Sequence, residues 1–357
     1  MPDHKNQHYV PRCYLRSFSS VGNGKAINLL NIGRHLLVRD APVKQQCSKD
    51  YFYGIDLKIE KALQGSEGKY ASIVKGIIEE SRFGDSDLSF LRDFCYLQYL
   101  RTDTAIRRTA LAQQDMTDLI FDGHEDQKPA PIVQKELVEQ AFGIFSESVD
   151  KIDDLKVCLV RNSSRRPFVT SDDPAAFVNR FYIQRIGPPP KSAGFENAGA
   201  ILILPLSPSL LMCSYDGGVY TVPDSRGHVV EITKETDAVA LNAIQYIKAS
   251  QNIYFSTWDH CEKVRRDFDS VSSRRPEKWH KLHYAVRDTD RDLPESTCFR
   301  VVHTKAERDS ADEAIVHLEG VMLNPGTWFS KLKFRNKPRY IDTKSGGRYL
   351  RHSASNL

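Results

Sequence analysis

The stretch from Ile55 to Arg108 constrains this 357-residue chain most, because its polar residues fall inside the apolar faces of two predicted helices. A turn at Phe83-Gly84-Asp85 separates the helices. Glu60 and Glu67 share a stripe with Leu63, Tyr70 and Val74, and Gln98 and Arg101 share one with Leu91 and Phe94. Residues three or four apart lie on one helical face. The turn is short, so the helices are expected to be antiparallel neighbours. Folding the chain about residue 84 then sets Glu67 opposite Arg101, Tyr70 opposite Gln98, and Glu60 near Arg107 or Arg108. Ser86 or Asp87 is the expected cap of the second helix. Gly65, Gly68 and Gly76 weaken the first helix and permit close backbone approach.

A carboxylate or guanidinium in an apolar setting is costly unless paired. The pattern therefore has two readings. In one, Glu67 and Arg101 form an internal pair, with Gln98 completing a network that specifies how the helices pack. In the other, the stripe is a cleft floor, where two Glu serve a metal or acid–base chemistry and Arg101 binds an anionic group.

Along the chain, Pro11 opens a short helix with Tyr14, Leu15 and Phe18 on one face. Ile27–Ile32 and Leu36–Arg39 suggest a β-hairpin. A third amphipathic helix is expected over Ile132–Ile152. Strands follow at Lys156–Arg161, Pro167–Thr170, Ala200–Leu204 and Leu210–Ser214. Thr233 is the expected cap of a helix running to Ala249, and Ile253–Ser256 reads as a strand. Short strand-like runs recur over 296–341. The fold class expected is α+β, a helical bundle around the helical hairpin packed with a mainly antiparallel sheet. Residues 1–262 form its core, 263–342 a C-terminal extension, and 343–357 a disordered tail.

No run reaches the ~18 apolar residues of a membrane span, and the polar N-terminus lacks a signal-peptide pattern. The seven cysteines are widely spaced with no C-x-x-C pair, and read as free thiols of a cytoplasmic protein. Net charge is +4, but Ser330–Leu357 carries eight Lys or Arg against Asp342. Such a basic segment is either solvated or a contact for nucleic acid. There is no Walker A loop, G-x-G-x-x-G or G-x-S-x-G.

Several short segments stand in a telling order. Asn6-Gln7-His8-Tyr9-Val10-Pro11-Arg12 precedes Tyr14-Leu15-Arg16-Ser17-Phe18, then Tyr51-Phe52-Tyr53, Ile59-Glu60 and Glu67. Leu97-Gln98, Arg101-Thr102, Phe168-Val169-Thr170-Ser171-Asp172-Asp173-Pro174, Pro205-Leu206-Ser207-Pro208 and Leu241-Asn242 follow. Together, over about residues 6–258, they resemble a mostly bacterial family catalogued as domain of unknown function 4238. That family carries no established reaction to transfer.

Two residues outside the hairpin join the candidate site. His8 suits a general base, a ligand or a core histidine. Asp172 ends a strand, where it serves either a site or a turn. In the leading scheme the protein is an intracellular hydrolase, nuclease-like toward phosphodiesters. Glu60, Glu67 and Asp172 would hold Mg²⁺ or Mn²⁺, and His8 would activate water or protonate the leaving group. Gln98 and Arg101 would bind substrate, with the basic C-terminal region attracting nucleic acid. The alternative is a non-catalytic binding or regulatory module whose buried polar hairpin is structural. His280-x-x-His283 is a weaker metal motif, placed on a helix.

Overall fold

The computed structural model describes residues 5–20, 22, 24–187, 194–287, 299–304, 306–307, 314–343 and 348–352. Seven α-helices are present among these residues. They are α1 (Arg12–Arg16), α2 (Lys58–Glu80), α3 (Asp85–Arg101), α4 (Asp103–Ile120), α5 (Gln134–Ser148), α6 (Glu235–Lys248) and α7 (Cys261–Ser272). The fold is α+β, with sheets that are mainly antiparallel.

The central sheet has five strands in the order Val229–Ile232, Lys156–Asn162, Leu210–Tyr215, Ile201–Ser207, Ala176–Val178. All its pairs are antiparallel except the first, which is parallel. Side chains alternate across a strand. Leu202, Leu204 and Leu206 therefore face the core shared with α1 to α5, while Ile201 and Ile203 face the core shared with Leu241, Ile244 and Ile247 of α6. The sheet is thus buried on both faces, which explains its near-continuous apolar strands. A four-stranded sheet runs Leu36–Pro42, Ala26–Asn31, Asn252–Phe255, Thr170–Ser171. Val264 and Phe268 of α7 pack on it with Leu30 and Phe255. The expected domain boundary at residue 263 falls inside α7.

The helical hairpin differs from expectation at its far end. The second predicted helix is two: Thr102 is extended at φ −68, ψ 154, and its hydroxyl accepts from the N–H of Ala105, capping α4. At the start of α3 the carboxylate of Asp87 accepts from the Gly84 N–H, so the cap position is Gly84 and Asp87 is its reciprocal partner. Lys234, rather than Thr233, precedes α6. Gly65 and Gly68 face open space, and of the three glycines in α2 only Gly76 has backbone close by, the Arg82 carbonyl. Tyr70 stacks on Phe94 with ring centroids 4.3 Å apart.

The C-terminal region returns to the core. Lys333–Phe334 pairs with Tyr220–Thr221, and Tyr340–Asp342 pairs with Tyr349–Arg351. Of the expected disordered tail, 344–347 and 353–357 lie outside the described residues. Arg351, however, is fully buried, with Nε and Nη2 each 2.8 Å from the Asp154 carboxylate. His280 and His283 lie on the strand His280–Arg287, not on a helix. An odd spacing on a strand sends the two rings to opposite faces, and they meet Asp115 and Glu319 respectively.

Candidate functional site

The N-terminal segment and the hairpin are joined through the Tyr9 backbone, just after the strand Asn6–His8. Gln98 donates to the Tyr9 carbonyl at 2.9 Å and accepts from Arg101 Nε at 3.1 Å, while Arg101 Nη2 lies 3.0 Å from Glu67 Oε1. Arg101 is 1% exposed, so the antiparallel pairing predicted by the turn places a guanidinium in the core with a partner. Glu67 retains a partly exposed edge. Glu60, one turn beyond Leu63, is half-buried near enough to Tyr53 to affect its hydroxyl. Arg107 and Arg108 turn to Asp103 and Asp173.

His8 sits beside this network. Burial, then the charge of Arg12, pushes its imidazole down to about 4, so the ring is neutral at neutral pH. Its buried Nε2 has no hydrogen-bond partner among the described residues. Asp172 does different work. Its two carboxylate oxygens accept from the N–H groups of Ser250 and Gln251, each at 2.9 Å, and so hold the turn between α6 and the strand Asn252–Phe255. Burial, then the neighbouring Asp173, pushes its carboxyl up to about 6 against those two donors. Its charge reaches the Tyr9 hydroxyl, but its direct partners are separate from those of Glu67. Among the described residues, no three His, Cys, Asp or Glu side chains are gathered as metal ligands.

The segments around Asp172 are read by one face of α6. Asn242 accepts from the Val169 N–H and donates to the Pro167 carbonyl, Gln245 accepts from Ser171 Oγ and donates to the Pro174 carbonyl, and Lys248 donates to the Asp173 carbonyl. The spacing of three keeps all three side chains on one stripe. Tyr14 adds its hydroxyl, 2.6 Å from Thr170 Oγ1 and 2.7 Å from the Pro205 carbonyl.

Asp173 points the other way from Asp172, into a charged cluster at the break between α3 and α4. Its Oδ1 accepts from Thr102 Oγ1 at 2.9 Å, and its Oδ2 lies 2.7 Å from Arg108 Nη2 and 2.5 Å from Lys248 Nζ. Asp173 is fully buried and Lys248 nearly so. Burial opposes ionisation of Asp173, but Arg108 and Lys248 outweigh it and hold the carboxyl below its usual value. Burial pushes Lys248 down to about 8, with Asp173 resisting and Arg108 assisting. The two cations are braced by aromatic faces, Arg108 at 4.7 Å from the Trp279 ring and Lys248 at 5.1 Å from Tyr99.

Arg108 and Lys248 also line a cavity of about 280 Å³ between α4 and the strands of the C-terminal region. None of His8, Glu60, Glu67, Gln98, Arg101 or Asp172 lines it. Arg108 Nη1 is buried without a hydrogen-bond partner among the described residues. The cluster therefore carries one cation more than it has carboxylates, at the wall of a space close to the lower end of typical ligand pockets. Sequence reasoning missed Asp173, Arg108 and Lys248 as a unit. The Thr102-Asp103 pair, an N-cap signature in mid-helix, was the available signal that the chain breaks there.

Residues 6–259 match the family described as a protein of unknown function, DUF4238. The chain belongs to this family. A search of curated proteins found no match to the chain. A search of solved structures likewise found none. The DUF4238 segments now have a physical meaning in this chain. Tyr9, Tyr14, Gln98, Arg101, Thr170, Asp172, Asp173, Pro205 and Asn242 belong to several separate groups of buried polar contacts that tie the N-terminus, the hairpin, the sheets and α6 together. No helix among the described residues is long and apolar enough to cross a membrane.

Proposed function

We propose that this DUF4238 protein binds a small anionic molecule in the cavity beside Asp173. The observation that carries the reading is the buried Arg108 Nη1, which has no hydrogen-bond partner among the described residues, on a side chain that lines the cavity together with Lys248. A desolvated donor of this kind costs free energy until an acceptor meets it, and an anion would meet it with charge assistance. This is the binding-module reading, with the hairpin pair Glu67–Arg101 as scaffold. The test is isothermal titration calorimetry with benzoate and inorganic phosphate on wild type, Arg108→Gln and Glu67→Gln. Arg108→Gln is expected to weaken binding at least ~10-fold, about 1.4 kcal/mol. Glu67→Gln, if folded, should bind as wild type does. Equal binding by wild type and Arg108→Gln would reject the site.

The hydrolase reading keeps one supporting observation, the neutral His8 ring with its unpartnered Nε2. In it Glu60, Glu67 and Asp172 hold Mg²⁺ or Mn²⁺ and Gln98 and Arg101 bind a phosphodiester. The partners of Glu67 and Asp172 favour scaffold roles. Incubation with RNA, single-stranded and double-stranded DNA plus Mg²⁺ or Mn²⁺ tests it: cleavage by wild type that Glu67→Gln abolishes would restore this reading. The basic C-terminal region lends nucleic-acid binding less support than its composition suggests. Lys331 pairs with Asp224, Arg348 with Glu196 and Arg351 with Asp154.

A further inference from the structure

We infer that the ligand is an amphiphilic monocarboxylate, its head on Arg108 and Lys248 and its apolar body running out of the cavity past Leu318. The inference rests on the anion site proposed above and adds the chemistry of the rest of the ligand.

The head follows from the charge and the donors. Among the groups in direct contact, Arg108 and Lys248 exceed Asp173 by one positive charge, which matches a monoanion, and the Asp172 carboxyl also acts on Lys248 from nearby. Arg108 Nη2 and the Lys248 ammonium are both engaged with Asp173, the ammonium with its side chain and its carbonyl, so the donors left are Arg108 Nη1 and the third N–H of Lys248. Two donors from two side chains suit the two oxygens of a carboxylate.

The body follows from the walls. Ala105, Arg108, Thr109 and Ala112 lie on one face of α4, at helical spacing, and line the cavity. The cation is thus set among small side chains that leave room beside it. Leu318, Met322 and Phe177 from other elements complete the apolar part of the lining. A hydrated inorganic ion gains nothing from such walls, whereas each methylene buried against them tightens binding roughly fourfold.

The exit follows from what lies outside. A second, more open pocket of about 480 Å³ shares His280 and Val321 with the cavity and is also lined by Leu282 and by the charged Asp115, Glu277, Lys278 and Lys281. Leu318 belongs to the cavity wall yet is 38% exposed, and Leu111 on α4 is 47% exposed. An apolar body leaving the cavity therefore has the exposed part of Leu318 to cover before it meets the charged side chains of the outer pocket.

The experiment is calorimetry on the whole chain with octanoate, butyrate, octylammonium and inorganic phosphate, using wild type and Leu318→Gln. Position 318 is partly exposed, and circular dichroism checks that the variant is folded. Octanoate is expected to bind more than ~10-fold tighter than butyrate, four methylenes shorter. Leu318→Gln should weaken octanoate severalfold and leave phosphate unchanged. Octanoate no tighter than butyrate, with phosphate still bound, would overturn this inference and leave the anion site standing. Octylammonium binding as well as octanoate, or no binding of any of the four, would overturn both.

Discussion

Arg101 and Asp172 show how much one buried polar residue fixes here. Removing one partner of a buried pair leaves a desolvated charge, typically costing ~3–5 kcal/mol. Arg101→Met is expected at the low end, about 3 kcal/mol, because Glu67 keeps a partly exposed edge. Glu67→Gln should cost more, ~3–5 kcal/mol, because it leaves the fully buried guanidinium without a counter-charge even though the amide still accepts from it. Urea denaturation measures both, and the reverse ranking would contradict the assignment of the buried partner. Asp172 makes a prediction in pH. Its folded carboxyl is raised to about 6, above the ~3.9 of an unfolded chain. The native state therefore holds this proton longer than the unfolded state. The contribution to stability is full below pH ~4 and is lost as pH rises through about 6, by roughly 3 kcal/mol. Asp172→Asn should flatten that part of the stability profile measured by urea titration between pH 4 and 7. An unchanged slope would show that Asp172 does not titrate there. Of the two aspartates, only Asp172 stood out from the sequence as a candidate, and Asp173 did not. Both lie in the bend that follows the strand Thr170–Ser171, and nothing local says that Asp172 meets backbone N–H groups while Asp173 meets Arg108 and Lys248.

At the scale of elements, the break at Thr102 matters most. Thr102 caps α4 through the Ala105 N–H and also donates to Asp173, so one hydroxyl both starts a helix and anchors the charged cluster. Thr102→Val should cost about 2 kcal/mol, a lost cap together with a carboxylate short of one donor. A loss under ~0.5 kcal/mol in thermal or urea unfolding would mean that the break is held by packing alone. The hairpin itself was legible in the sequence. A polar stripe within an apolar face and a short turn were enough to pair Glu67 with Arg101. The cluster around Asp173 was not, because its members come from the strand Thr170–Ser171 and its turn, α4 and α6, far apart in the chain. Lys248 was masked further. A lysine in the last turn of a helix ordinarily complements the helix dipole, and only the fold shows it turned inward.

For the whole molecule, the C-terminal region is part of the fold. Arg351 fills a buried site against Asp154, and Tyr349 packs with Phe181 and Tyr182. Composition alone pointed to disorder, because glycine, serine and basic residues outweigh apolar ones there, but three residues, Tyr349–Arg351, suffice to pair with a strand and bury an arginine. Removal of residues 348–357 is expected to lower stability by about 3 kcal/mol or more, since Asp154 loses its buried partner. Limited proteolysis and urea unfolding read this out, and an unaltered midpoint would contradict it. The same region supplies part of the cavity lining, with Leu318, Val321 and Met322. The candidate site thus needs the DUF4238 segment and the residues beyond it together.

The most direct measurement is a crystal structure of the protein soaked with 8-bromooctanoate, using the anomalous signal to place the bromine. The account predicts the carboxylate within ~3 Å hydrogen-bond distance of Arg108 Nη1 and Lys248 Nζ, with the bromine outside the cavity beyond Leu318. A carboxylate seated elsewhere, against Arg101 or on the surface with the cavity holding only water, would contradict it.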